Sequence, residues 1–199
     1  MLDQVFSFLD KILSTSIVVA IAIFSLKEII EKCRREKSKN SKERAYAHVI
    51  GREIKENFKS LDYFYKIIDF IEEHKECRAI QLKLHRLIHG YESCEIVAGS
   101  DSLEMQLPKF KTAWYEKLLV ELAEKDGKLA ECVSKAYDNI YFISEKRNLI
   151  ASLMAGELSE FLRVCAVTTV GLLAPEREGI ELNLKAAYKA LTGKENLFP

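Results

Sequence analysis

The sequence predicts an all-α fold: a single N-terminal transmembrane helix followed by an antiparallel helical bundle of about five to six helices. Three observations lead there. Only three prolines and eight glycines interrupt 199 residues, and a chain so poor in breakers favours long helices over sheet. Apolar residues recur at steps of three and four along most of its length, the period of an amphipathic helix. Near the start, Ile12–Leu26 runs for fifteen residues without a charge. With 48% hydrophobic and 30% charged residues, the composition is that of a chain with a core rather than a disordered one.

The first element is an N-terminal membrane anchor, residues 1–30. As a helix, fifteen residues cover about 22 Å, against a hydrocarbon core of about 30 Å. Lys11 and Lys27 can snorkel outward, and Ile29 and Ile30 extend the apolar length, so a span near residues 9–30 is expected. A cleaved signal peptide, suggested by the Ala20-x-Ala22 pair, disagrees with the acidic region ahead of the apolar run. A buried or interfacial helix is the other alternative. Ser16 and Ala20 form a small-xxx-small pair that would let two such helices approach.

A basic juxtamembrane linker, residues 31–44, comes next. Lys27–Arg44 carries eight Lys or Arg against four Glu, while the chain as a whole is neutral. Lys32, Arg34, Arg35, Lys37 and Lys39 form a lipid-facing collar. Positive charge stays inside, so the expected topology is single-pass in the inner or plasma membrane, N-terminus out and domain in the cytoplasm. Five cysteines without a CxxC read as free thiols in a reducing compartment. The mildly acidic remainder argues against whole-domain nucleic-acid binding.

The bundle is expected over residues 45–192. Its first helix, about 42–74, carries the stripe Ile50, Ile54, Phe58, Leu61, Tyr65, Ile68 and Ile71. A second, about 76–96, would align Ile80, Leu84, Leu87 and Tyr91, with a loop at 97–106. Pro108 suits the first turn of a third, and Asp126-Gly127 would end it. Helices follow at about 128–148 and 150–173, the latter ending in the apolar run Val164–Ala174. The last, about 176–192, turns Ile180, Leu184, Ala187 and Leu191 inward, before a flexible tail at 193–199. Asn57, Asn139 and Asn183 fall near apolar stripes, where a buried asparagine can fix helix register.

Candidate chemistry is sparse. His85 and His89, four apart, would share a helix face, and with Cys94 could hold a metal ion. The spacing fits no standard zinc pattern, and no cofactor is expected. Glu157 and Glu160 lack an E-x-x-H partner, which does not support a di-iron site. Glycine-rich phosphate loops, G-x-S-x-G and H-E-x-x-H do not occur. Arg78 and His85, six residues between them, resemble the arginine–histidine motif of HEPN-type ribonucleases, which are small helical bundles. That family usually has a polar residue after the arginine, where this chain has Ala79. The resemblance implies a metal-independent ribonuclease, with His85 as acid or base and Arg78 steadying the phosphate.

The leading expectation is a membrane-anchored cytoplasmic interaction or regulatory module with no catalytic constellation. It would be tied to the membrane by its N-terminal helix and bound to a protein partner or to itself. The alternatives are a membrane-perturbing effector with an oligomerising anchor and the HEPN-like ribonuclease.

Overall fold

The computed structural model describes residues 2–74, 80–86, 91–156, 173 and 175–197, with side chains from residue 20 onward, Lys125 excepted. Among them are α1 (Leu2–Glu73), β1 (Ile80–Arg86), β2 (Glu92–Ala98), β3 (Asp101–Gln106), α2 (Ala113–Lys125), α3 (Gly127–Met154) and α4 (Arg177–Thr192). The chain divides into two compact units, Met1–Tyr46 and Ala47–Pro199.

In the first unit, α1 is helical from Leu2. Among the described residues no helix is long and apolar enough to cross a membrane. This corrects the expected single-pass anchor and the inner-membrane placement, N-terminus out, that went with it. The described side chains begin at Ala20, and Ala20–Leu26 is only seven uncharged residues before Lys27 and Glu28, far fewer than the ~20 a span needs. The side chains of residues 2–19, which hold the first part of the apolar run, lie outside the described ones. The collar residues Lys32, Arg34, Arg35, Lys37 and Lys39 are exposed along α1. The membrane-perturbing effector depended on a spanning helix and is withdrawn with it.

The second unit is not all-α. A three-stranded antiparallel sheet, in the order β1-β2-β3, replaces the helix expected at 76–96 and the loop at 97–106. Ile80 and Leu84 are four apart, a spacing that suits a helix turn and also two strand repeats. Leu82 decides between them, because Ile80, Leu82 and Leu84 alternate with Gln81, Lys83 and His85. Cys94, Ile96 and Ala98 are buried on the same face of β2, opposite Leu84, Leu82 and Ile80. Gly99, at φ 64°, opens the two-residue turn into β3, a conformation that glycine adopts without strain.

Around this sheet the helices build one core. α1 contributes Ile50, Ile54, Leu61, Phe64, Ile67 and Ile68, α3 contributes Val133, Tyr137, Ile140 and Ile143, and α4 contributes Ile180, Leu184 and Ala187. The period-3.6 stripe of α1 is thus the wall on which the unit is assembled. α3 runs unbroken through 148–150, where two helices were expected. Asp126 explains the sharp corner between α2 and α3. Its carboxylate accepts from the backbone N–H of Lys128 and Leu129 (3.0 and 3.1 Å), while its own N–H closes α2 on Leu122. The side chain is therefore an N-cap, and Gly127 is the first residue of α3 rather than a C-terminal cap. Most of the helix expected at 150–173 lies outside the described residues.

Candidate functional site

Among the described residues of the second unit, three polar or charged residues are buried: Glu53, Asn57 and Arg147. Asn57 and Arg147 hold one irregular segment, Leu107–Thr112, and Glu53 holds the first turn of α2 that follows it. Asn57 grips it in both directions: its Nδ2 donates to the Lys111 carbonyl and its Oδ1 accepts from the Lys111 N–H, each at 2.7 Å. From the other side Arg147 donates through Nε to the Pro108 carbonyl at 3.0 Å and pairs through Nη2 with Glu92. The Leu107 N–H donates to the Glu92 carbonyl at 2.8 Å. With these peptide groups committed, Pro108 cannot open a helix, and α2 starts only at Ala113.

That start lacks a cap of its own, since Thr112 makes no side-chain cap bond. Glu53, one turn before Asn57 on α1, supplies it. Its carboxylate accepts from the Trp114 N–H (3.0 Å), the Tyr115 N–H (3.2 Å) and the Tyr137 hydroxyl (2.6 Å). An anion at a helix N-terminus satisfies orphan donors and meets the positive end of the dipole. Burial, and then the bond to Glu53, push the Tyr137 hydroxyl well above the usual tyrosine range. Tyr137 stacks on Tyr115 with centroids 4.0 Å apart.

Over this junction lies an open cleft of about 640 Å³. One wall is His48, Val49, Arg52 and Glu56 of α1; the other is Phe110–Trp114 and Glu116. Glu56 accepts from Arg52 (3.0 Å) and Lys111 (2.7 Å), and the Lys111 ammonium foremost holds its carboxyl below the ordinary range. Glu116 accepts from Thr112 (2.6 Å) and the Tyr141 hydroxyl (2.8 Å), which lower it likewise. Both carboxylates are therefore held ionised, and neither is kept protonated as a general acid would be. Trp114 is 47% exposed, with the Lys117 ammonium 5.2 Å from its ring centroid. The cleft is thus a trough whose carboxylates are hydrogen-bonded from within the protein, with a half-exposed indole among its lining residues.

Of the candidate catalytic and metal-binding residues of the sequence, His85 and Cys94 do not line this cleft. Arg78 and His89 are outside the described residues. His85 is exposed on β1, its Nε2 3.4 Å from Glu95, which also takes Lys83 at 3.5 Å. Cys94 is buried on β2, its Sγ donating to the Met105 carbonyl, and burial pushes the thiol up to about 11. His85 pairs with Ser93 and Leu84 with Cys94, so His85 and Cys94 belong to opposite faces of the sheet. They cannot share a metal ion. Among the described residues no three His, Cys, Asp or Glu are grouped to hold one. The cleft was missed because its walls lie more than fifty residues apart in the chain. The one signal available was Asn57, a polar residue beside an apolar stripe.

No family model, curated protein or solved structure matches this chain.

Proposed function

We propose that this protein is a helical interaction module whose unit Ala47–Pro199 receives a short partner segment in the cleft between α1 and the start of α2. The observation that carries the reading is Trp114, a large aromatic half in water at the mouth of a trough whose walls are pinned from below by Glu53 and Asn57. Aromatic anchors dominate binding energy at interfaces, and a site already fixed before binding spends little ordering entropy. The cleft's carboxylates already accept hydrogen bonds from within the protein, which suits recognition by shape and apolar contact over capture of a bare ion.

The test is a photo-crosslinking residue at His48, on the cleft wall, and separately at the exposed Leu182 of α4, both in cells. A discrete adduct is expected from His48, lost with Trp114→Ala and absent from Leu182. No adduct, or the same adduct from both positions, would overturn the reading.

A further inference from the structure

The first unit carries a second surface, independent of the cleft. Along α1, Ile23, Leu26 and Ile30 leave about three-fifths of their surface in water, and Cys33 is exposed beside them. Their steps are three, four and three. The same alternation extends back through the sequence to Leu2, with a polar residue only at Ser16. No charge occupies any position of the series before Lys37. Apolar residues every 3.5 positions mark a helix seam that packs against an equivalent helix, and one polar position within it is how such pairs set register.

We propose that residues 2–33 form a self-association seam, and that its occupant is a second copy of this chain. The size fits. Transfer free energies imply that burying one such side chain removes roughly 60–120 Å² from water. Nine apolar positions then bury roughly 500–1,100 Å² per copy, the range of a stable pair at about 800 Å² per partner. The charge pattern sets the end of the seam: the next two positions of the series are Lys37 and Asn40, within the basic stretch. Ile21 and Phe24 lie off the seam, so the number of copies is read in the same experiment.

The test is sedimentation of the full chain with oxidative cysteine linkage. Wild type is expected to sediment as a dimer or higher oligomer. In a parallel pair Cys33 links to its counterpart, and Cys33→Ser abolishes the link. In an antiparallel pair residue 2 meets residue 33, and the Leu2→Cys variant links to Cys33 of the other copy. Arg35→Cys in a Cys33→Ser background places the thiol outside the seam and links at least tenfold less. Ile23→Glu with Ile30→Glu is expected to give a monomer whose Trp114 fluorescence is unchanged, showing that the second unit still folds. A wild-type chain that sediments as a monomer overturns the proposal, as does linkage from position 35 equal to that from 33. A monomer recovered on lipid vesicles also overturns it, and assigns the face to lipid.

Discussion

Replacing Glu53 by Gln changes one atom and tests why α2 begins where it does. The carboxylate is 3% exposed and accepts three hydrogen bonds. An amide keeps one acceptor oxygen and turns the other into a donor. If the nitrogen takes the Oε2 place it faces the Trp114 N–H; in the Oε1 place it faces the Tyr115 N–H and the Tyr137 hydroxyl. At least one buried donor is left without an acceptor, which costs about 1–3 kcal/mol. The lost charge–dipole attraction adds about 0.5–1 kcal/mol, and relief from burying an ion offsets part of the sum. A net loss of about 2 kcal/mol is expected, which for a unit of this size lowers Tm by roughly 4–8 °C. Urea unfolding followed by fluorescence is the assay, since Trp114 is the only tryptophan and stands at the perturbed turn. A change under 0.5 kcal/mol, or a gain, would refute the idea that an ionised carboxylate organises this junction.

Arg147→Ala would leave Glu92 and the Pro108 carbonyl without their donor, and a buried acceptor left unmet costs about 1–3 kcal/mol; denaturant unfolding checks it. The Arg147 guanidinium foremost holds the Glu92 carboxyl below its ordinary value of 4.5. That stabilisation is complete above pH 4.5 and is lost as pH falls through the lowered folded value, so Glu92→Gln should flatten the acid limb of a stability–pH curve. His74 behaves in the opposite sense. Its ring nitrogens meet the Phe70 carbonyl (2.9 Å) and Asp101 (3.1 Å), and the Phe70 carbonyl foremost raises its pKa above 6.5. Its contribution is complete below pH 6.5 and lost as pH rises through the folded value; an NMR titration should show the raised pKa falling in Asp101→Asn. A Cβ on Gly51 would sit 2.9 Å from the Thr192 methyl. Gly51→Ala should therefore stabilise by up to about 1 kcal/mol, the helix-propensity gain, only when Thr192→Ser has removed that methyl.

How much of this was legible depends on how local each signal is. The stripe from Ile50 to Ile71 repeats over six turns, and its members are buried apart from the half-buried Phe58. α4 likewise carries Ile180, Leu184 and Leu191 inward with Gly193 at φ 70° closing it. The sheet escaped because Ile80 and Leu84 satisfy two periods at once, and the single residue that separates them, Leu82, is outweighed by a long helical context. Pro108 misled for a different reason. It is a good first-turn residue taken alone, but Asn57 and Arg147 compete for the backbone around it from 54 and 39 residues away. Asn57 stood out as a polar residue on an apolar face; its partner, a main-chain group, has no sequence signature. Glu53 looked like any surface glutamate, because nothing in a sequence marks a carboxylate that caps another helix. His85, His89 and Cys94 were grouped on helical spacing; for His85 and Cys94 that grouping dissolved with the helix, and His89 lies outside the described residues.

The pinned segment Leu107–Thr112 also works as a ruler. Arg147 sets its position at Pro108 and Asn57 sets it at Lys111, three residues on. An extended chain advances about 3.3 Å per residue, roughly the length of a hydrogen bond, so one inserted residue would leave only one of the two grips in reach. The turn at Gly99 and Ser100 has no such double hold at its tip, and a Cβ at Gly99 would meet nothing within 4 Å. Changes of length can therefore be absorbed at the hairpin and not in the strap, which fixes the distance between the sheet and the mouth of the cleft.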